Sequence, residues 1–301
     1  MVPEHESQEQ SAAGSESPAR QDEALSSHPE APPATDSAGI PSPSGLPHET
    51  PLPLTLTGPE SLPVRAWDVL LIAVMFVASD LLTTAAAALY AFRVYHESPE
   101  QLQSNTLVIV AAQIVAYAIT FAVMYFLVTR RHSQRFWSGI RWRWPARGRQ
   151  ALRFVGAGVL LALAISYLET VLPMPSQVPF EKLFTNADAA YVMGVLAILA
   201  APLMEELFFR GFLYPVLRRA GAAVAIVVTS VAFALVHGGQ YGWAWSVVLL
   251  MFLVGLVLTL VRARTGSVAS GFLLHAAYNL TLFALLYLST DRFRHLERMG
   301  R

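Results

Sequence analysis

Long apolar runs fill the chain from residue 66 onward, and short polar stretches separate them. Each run is compatible with a helix of about 20 residues, the length that crosses about 30 Å of hydrocarbon. The runs are longer than membrane β-strands and lack their alternation of apolar and polar positions. The pattern therefore predicts an all-α fold, a polytopic transmembrane helical bundle of about seven spans. The predicted spans are residues 66–91, 105–129, 151–172, 190–216, 222–238, 244–262 and 267–289.

Residues 1–62 have a different composition, rich in Glu, Ser, Pro, Ala and Gly. Such a segment cannot bury enough apolar surface to offset its chain entropy, so we expect a disordered acidic tail. It lacks the apolar core of a cleavable signal peptide, and the first helix is expected to act as the insertion signal. The rest is predicted to divide into residues 63–149, with two helices and a basic linker, residues 150–290, with the other five helices, and a basic C-terminal tail, 291–301.

Composition supports an integral membrane protein, since 54% of the 301 residues are hydrophobic and 14% are charged. The formal net charge of zero conceals a division, because ten of the 21 acids lie in residues 1–60. The remaining chain is basic, but its arginines cluster at the ends of apolar runs, which argues against a nucleic-acid partner. The absence of cysteine excludes a thiol nucleophile, disulfide bonds and Cys-ligated metals.

The linker after the second run, residues 130–153, contains eight arginines and no acid. By the positive-inside rule it is cytoplasmic, and we expect a multi-pass protein of a bacterial cell membrane with a cytoplasmic N-terminus. Alternation of the spans then places Arg218, Arg219, Arg262 and Arg264 inside as well. It leaves the basic C-terminal tail outside, a conflict that an extra half-span or re-entrant segment near residues 171–184 would remove.

The sequence EELFFR, residues 205–210, places three charges within an apolar run, where each costs at least about 2.5 kcal/mol to insert. Glu206 and Arg210 are four apart on one helical face, so they are expected to form a structural pair. Glu205 points about 100° away and needs a partner on another helix or a wet cavity.

Three polar residues on later runs are candidate partners for Glu205. They are His237 at the end of FALVH, and His275 and Asn279, which lie one turn apart in HAAYN. Counted from the nearest arginines at helix ends, all four residues lie between about 16 and 27 Å deep, so they can share one layer. A buried His or Asn is also a common hydrogen bond between helices, which is the structural alternative.

A carboxylate beside an imidazole can hold and deprotonate a water, and a second His with an amide can donate to an oxyanion. This combination suits the hydrolysis of an amide or ester. The chain has no GxSxG, HExxH or GxGD motif. Glu205, His237 and His275 could instead hold zinc, although their spacing is not a standard zinc signature.

The stretches EELFFR, FALVH and HAAYN resemble, in order and spacing, the EExxxR, FxxxH and HxxxN motifs of the CPBP family. This family comprises the CAAX proteases and the bacteriocin-processing or Abi proteins, and includes the type II CAAX prenyl endopeptidases. The resemblance covers about residues 150–290 and implies an intramembrane protease with a catalytic cavity between helices in that core.

Carried over residue by residue, the resemblance gives Glu205 and His237 the activation of water. It gives His275 and Asn279 the stabilisation of the oxyanion, and Glu206 and Arg210 a supporting role. A metal-free mechanism is favoured over a zinc site. The expected partners are a peptide or protein substrate at the membrane and the lipid bilayer. A non-catalytic scaffold or immunity protein with the same fold is the alternative function, followed by a transporter or proton relay.

Overall fold

The computed structural model describes residues 64–96, 105–176 and 178–299, so the predicted tail 1–62 lies outside the described residues. Three segments of π-helix, in which each turn is wider than in an α-helix, interrupt the regular helices at Leu127–Arg131, Leu196–Ala200 and Glu206–Leu213. Single 3-10 turns occur at Pro179–Leu183, Arg218–Ala220, Gly239–Tyr241 and Leu296–Arg298. The α-helices are α1 Ala66–Tyr95, α2 Thr106–Phe126, α3 Phe136–Gly139, α4 Gly148–Val171, α5 Ala187–Val195, α6 Ala201–Glu205, α7 Tyr214–Leu217, α8 Ala222–Gly238, α9 Trp245–Thr265 and α10 Val268–Ser289.

The described part of the chain contains seven helical stretches long and apolar enough to cross a membrane. They agree with the predicted runs to within four residues at each end, and no β-strand occurs among the described residues. In the most apolar 18 residues of the first span, only 11% are buried inside the protein. The exposed apolar side chains of this helix therefore require lipid around them. The predicted all-α, polytopic membrane bundle is confirmed.

The fourth span, Ala187–Ala220, is the longest and the least regular. It consists of α5, a π-segment, α6, a second π-segment, α7 and the 3-10 turn Arg218–Ala220. A proline follows each π-segment closely, at Pro202 and Pro215. Proline lacks an N–H group and its ring clashes with the carbonyl of the preceding turn, so a regular α-helix cannot continue through it. The wide turns accommodate both prolines without ending the span.

Close approach of α4 to α10 builds one side of the core. A Cβ atom at Gly158 would overlap the backbone carbonyl of Leu274, so only glycine permits this contact. Around it, Ala162, Ile165 and Tyr278 are buried in the same hydrophobic cluster. The contact fixes the helix that carries His275 and Asn279.

The basic linker docks on the turn between α9 and α10. The amide of Val268 donates to the carbonyl of Arg141 at 3.1 Å, and the Ser267 hydroxyl donates to the carbonyl of Arg143 at 2.5 Å. Trp142 lies against Phe272, with ring centroids 5.4 Å apart. The linker therefore lies at the same end of the bundle as the start of α10.

Two further contacts place the start of α1 at this end. The Arg219 guanidinium donates to the carbonyl of Val64 at 2.7 Å. The buried carboxylate of Asp68 lies 3.2 Å from Arg131 and 3.1 Å from His132. The segments that the positive-inside rule predicts to share one side thus share one end of the bundle, although the side of the membrane that this end faces stays a prediction.

The C-terminal tail begins at the opposite end, because α10 starts beside the linker and crosses the bundle. Between α4 and α5 the described residues contain the short turn Pro179–Leu183 and no further candidate span. The half-span suggested for residues 171–184 is therefore absent from the described residues, and the basic tail stays opposite the linker.

Substitution of Gly158 by Ala should destabilise the protein by about 1–3 kcal/mol, because the new methyl group would push α4 away from α10. Gly156→Ala is a matched control, since a Cβ at Gly156 of the same helix meets nothing within 4 Å. Equilibrium unfolding of both variants in mixed micelles tests this expectation. Equal stabilities of the two variants would contradict the packing account.

Candidate active site

The glutamate pair lies where α6 passes into the second π-segment of the fourth span. Glu205 is the last residue of α6, and Glu206 is the first of the wide turn. His237 comes from the C-terminal end of α8, and His275 and Asn279 come from α10. The structure therefore collects the predicted residues from three separate spans.

Glu205 lies between the two imidazoles. Its Oε1 is 3.7 Å from Nε2 of His237, and its Oε2 is 3.7 Å from Nε2 of His275. The side chain of Glu205 is 22% exposed, that of His237 13% and that of His275 4%. These three residues meet in one layer, as their predicted depths allow, and the side chain of Glu205 stays partly exposed.

Glu206 has a different environment from its neighbour. Its Oε1 accepts from Nη1 of Arg210 at 2.9 Å and lies 3.2 Å from Nδ1 of His275. The side chains of Glu206 and Arg210 are fully buried. A Cβ at Gly271 would lie 2.5 Å from Oε2 of Glu206, so glycine there makes room for the carboxylate. The predicted ion pair is present, and it also fixes one nitrogen of His275.

The guanidinium of Arg210 is held from α9. Its Nη2 donates to the carbonyl of Gly255 at 3.1 Å and to the Thr259 hydroxyl at 3.4 Å. The ring of Phe233 lies under the guanidinium, 4.8 Å from its carbon to the ring centroid, which adds a cation–π contact. These contacts share the cost of burying the charge among several groups.

Arg262 also belongs to this environment, although the sequence suggested only a helix-end arginine that sets topology. Its side chain is fully buried, its Nε donates to the backbone carbonyl of Arg210 at 3.0 Å, and its guanidinium lies over the ring of Tyr214. Thr259 was missed as well. The available signal was their three-residue spacing, which puts both on one face of an apolar helix.

The phenylalanine of the FxxxH stretch orients both imidazoles. Nδ1 of His237 donates to the carbonyl of Phe233 at 2.7 Å, since a carbonyl oxygen only accepts. The Phe233 ring lies 4.5 Å from the His237 ring and 5.9 Å from the His275 ring, measured between centroids. Nε2 of His237 is thereby directed at Glu205.

Asn279 is the predicted site residue that the structure places differently. Its Nδ2 donates to the carbonyl of Ala197, in the first π-segment, at 2.7 Å. The structure shows it tied to the fourth span rather than paired with His275. One of its two amide hydrogens is used in this contact.

The three side chains considered as zinc ligands from the sequence meet around Glu205. Glu205 faces Nε2 of each imidazole through a different oxygen, and Nδ1 of His275 lies against Glu206. Across the described ranges, no group of three or more His, Asp or Glu residues is arranged to hold a metal ion. Glu205, His237 and His275, the zinc ligands considered from the sequence, do not form such a group, and metal dependence stays a prediction.

Comparison with known proteins supports the resemblance seen in the motifs. Residues 187–281 match the family model described as type II CAAX prenyl endopeptidase Rce1-like, which is a protease family. This segment contains all three motifs, and the predicted resemblance is confirmed. The chain is also similar to UPF0177 protein YxdF of Lactococcus lactis subsp. lactis (strain IL1403), with 28% identity over 130 residues, which are 40% of this chain and 70% of that protein. No solved structure matches the chain.

Replacement of Arg210 by Met should lower the free energy of unfolding by about 3–5 kcal/mol, because it leaves Glu206 buried without its cationic partner. The double variant Glu206→Gln/Arg210→Met removes both charges and should recover part of this loss. Equilibrium unfolding in mixed micelles gives both values. A single variant no less stable than the double variant would show that the two charges do not compensate each other.

Proposed function

We propose that this integral membrane protein is an intramembrane endopeptidase, which hydrolyses a peptide bond of a membrane-associated protein or peptide. Glu205 and His237 would activate the attacking water, and His275 and Asn279 would stabilise the oxyanion. The match of residues 187–281 to a protease family supports an enzyme over a scaffold or immunity protein, which remains the alternative function. The same match also favours an enzyme over a transporter or proton relay.

One observation carries this proposal: of two adjacent glutamates, one is fully buried and the other is partly exposed. Glu206 is fully buried against Arg210, whereas Glu205 is 22% exposed and faces two imidazoles. The ion pair with Arg210 and the contact with His275 account for Oε1 of the first glutamate. Among the described residues the ion-pair partners of the second are the imidazoles of His237 and His275, which suit proton transfer to and from a bound water.

The distance between Glu205 and His237 supports a bridging water. At 3.7 Å it exceeds the length of a direct hydrogen bond, and a water between two such groups can satisfy both. Since Nδ1 of His237 holds its hydrogen toward Phe233, neutral Nε2 is an acceptor. A water that donates one hydrogen to Glu205 and one to His237 would present its oxygen lone pair to the substrate carbonyl.

Hydrolysis then needs a donor for the oxygen of that carbonyl. His275 is anchored through Nδ1 to Glu206, and when protonated it can donate from Nε2 as well. Asn279 has one amide hydrogen left after its contact with Ala197. Water adds its oxygen to the carbonyl carbon, its proton passes to Glu205 or His237, and this proton is returned to the leaving amine as the C–N bond breaks.

Two chemical classes of substrate are candidates. The family description names prenyl endopeptidases, so a peptide with a lipidated C-terminal cysteine is one candidate and an unmodified membrane peptide is the other. We further propose that the N-terminus lies in the cytoplasm, from the eight arginines of residues 130–153. A bacterial cell membrane is proposed because the similar protein YxdF comes from a bacterium, Lactococcus lactis.

Glu205→Gln should abolish cleavage, lowering kcat at least about 100-fold while the protein remains folded, because the amide cannot take a proton from water. Asp188→Asn is the matched control, since it also converts an acid to its amide in the fourth span and is exposed at the start of α5. Wild type and both variants are reconstituted and offered peptides with and without a lipidated C-terminal cysteine. Mass spectrometry reads the products, with and without a chelator.

Cleavage by Asp188→Asn but not by Glu205→Gln, unaffected by the chelator, supports the proposed mechanism. Retained cleavage by Glu205→Gln would refute the role of Glu205. Loss of cleavage with the chelator would instead point to a metal-dependent reaction. If wild type cleaves no peptide of either kind, the scaffold alternative gains support.

A further inference from the structure

Each π-segment of the fourth span leaves one backbone carbonyl without its donor. In the first, the amide of Ala201 donates five residues back, to the carbonyl of Leu196. In this pattern the next residue, Pro202, would donate to the carbonyl of Ala197, but proline has no N–H group. Buried carbonyls are almost always hydrogen-bonded, so Ala197 requires another donor.

The second π-segment repeats this arrangement around the ion pair. The amide of Tyr214 donates five residues back, to the carbonyl of Phe209. The following residue is Pro215, whose missing N–H group would have served the carbonyl of Arg210. The residue that neutralises Glu206 therefore has a backbone carbonyl that lacks its π-helical donor.

Side chains from two other helices meet these two carbonyls. Asn279 of α10 donates to Ala197 at 2.7 Å, and Arg262 of α9 donates to Arg210 through Nε at 3.0 Å. The two contacts lie at equivalent positions, each five residues before a proline. This equivalence is hard to attribute to incidental packing.

The hydrogen bond to the Arg210 carbonyl explains why Arg262 is buried. A fully buried guanidinium is costly in a membrane span, and the positive-inside rule would be served equally by an exposed arginine such as Arg264 in the same turn. The guanidinium of Arg262 also lies 5.3 Å from the ring centroid of Tyr214, the residue between the wide turn and Pro215. Arg262 thus contacts the end of the wide turn on two sides.

We infer that Arg262 is a positioning residue for the glutamate pair. By occupying the Arg210 carbonyl that Pro215 leaves without a donor, it fixes the wide turn Glu206–Leu213, and with it the ion pair that holds His275. The local role stands on the hydrogen bonds of the fold, and its catalytic consequence rests on the proposed peptidase function.

Hydrogen–deuterium exchange of the full chain in micelles tests the local role without any substrate. Arg262→Met should speed exchange in residues 206–214 about tenfold, because an unsatisfied buried carbonyl weakens this turn, while α4 is unaffected. Arg264→Met is the matched control, since it removes an exposed arginine two residues along the same helix and should leave residues 206–214 unchanged. Unchanged exchange in Arg262→Met, or an equal rise in both variants, would overturn the inference.

A second variant identifies the carbonyl as the cause. In Arg262→Met/Pro215→Ala, a backbone N–H is restored, and residues 206–214 should regain most of their protection against exchange. Arg262→Lys retains a donor and should lie between wild type and Arg262→Met. Failure of the double variant to regain protection would show that Arg262 acts through something other than the Arg210 carbonyl.

The catalytic consequence is tested by measuring kcat and KM with any peptide that the wild type cleaves. Arg262→Met should lower kcat about tenfold with little change in KM, since the substrate contacts are kept but the catalytic groups are less well placed. Unchanged kcat together with faster exchange would overturn the catalytic part alone. If wild type cleaves nothing, the scaffold alternative gains support over the peptidase, and the exchange measurements still decide the positioning role.

Discussion

The carboxylate of Glu206 lies in a protein interior that is itself surrounded by hydrocarbon, where a single unpaired charge is more costly than any one packing contact. Arg210 compensates this charge at 2.9 Å, and each further feature around the pair serves the same need. Gly271 makes room for the carboxylate, Gly255 and Thr259 accept from the guanidinium, and Phe233 lies beneath it. Four spans therefore converge on one ion pair.

This convergence separates the tasks of two neighbouring glutamates. Adjacent residues on a helix point in different directions, so one carboxylate can face the interior while the other faces a cavity. Glu206 stabilises the arrangement and holds His275 through Nδ1, and Glu205 is left free to meet both imidazoles. A buried charge network thus lies directly behind the partly exposed side chain of Glu205, a combination that favours pre-organised chemistry.

The sequence predicted the spans and the meeting of Glu205, His237 and His275, because length, apolarity and depth along a helix are local properties that can be counted. It also predicted the Glu206–Arg210 pair from its four-residue spacing. It did not reveal the π-segments, since proline excludes a regular helix without specifying whether the chain kinks or widens. Arg262 was misread for a related reason: an arginine at the end of an apolar run looks the same in sequence whether it faces headgroups or a buried carbonyl.

Asn279 illustrates a further limit. Its position one turn after His275 is visible in the sequence, but the amide is tied to Ala197, and that partner becomes evident only when the wide turn of another span is seen. Contacts between side chains and irregular backbone depend on the tertiary arrangement of helices, which no local pattern specifies.

The length of α8 links the site to the bilayer itself. Its 17 residues and the 3-10 turn Gly239–Tyr241 that continues them form a span of 20 residues, about 30 Å, close to the thickness of an average hydrocarbon core. His237 stands at the last turn of α8, so the imidazole lies nearer to one end of the span than to its middle. A thinner or thicker bilayer would move the headgroup boundary relative to His237 and Glu205. Acyl-chain length thus becomes a physical variable of the site, alongside its own side chains.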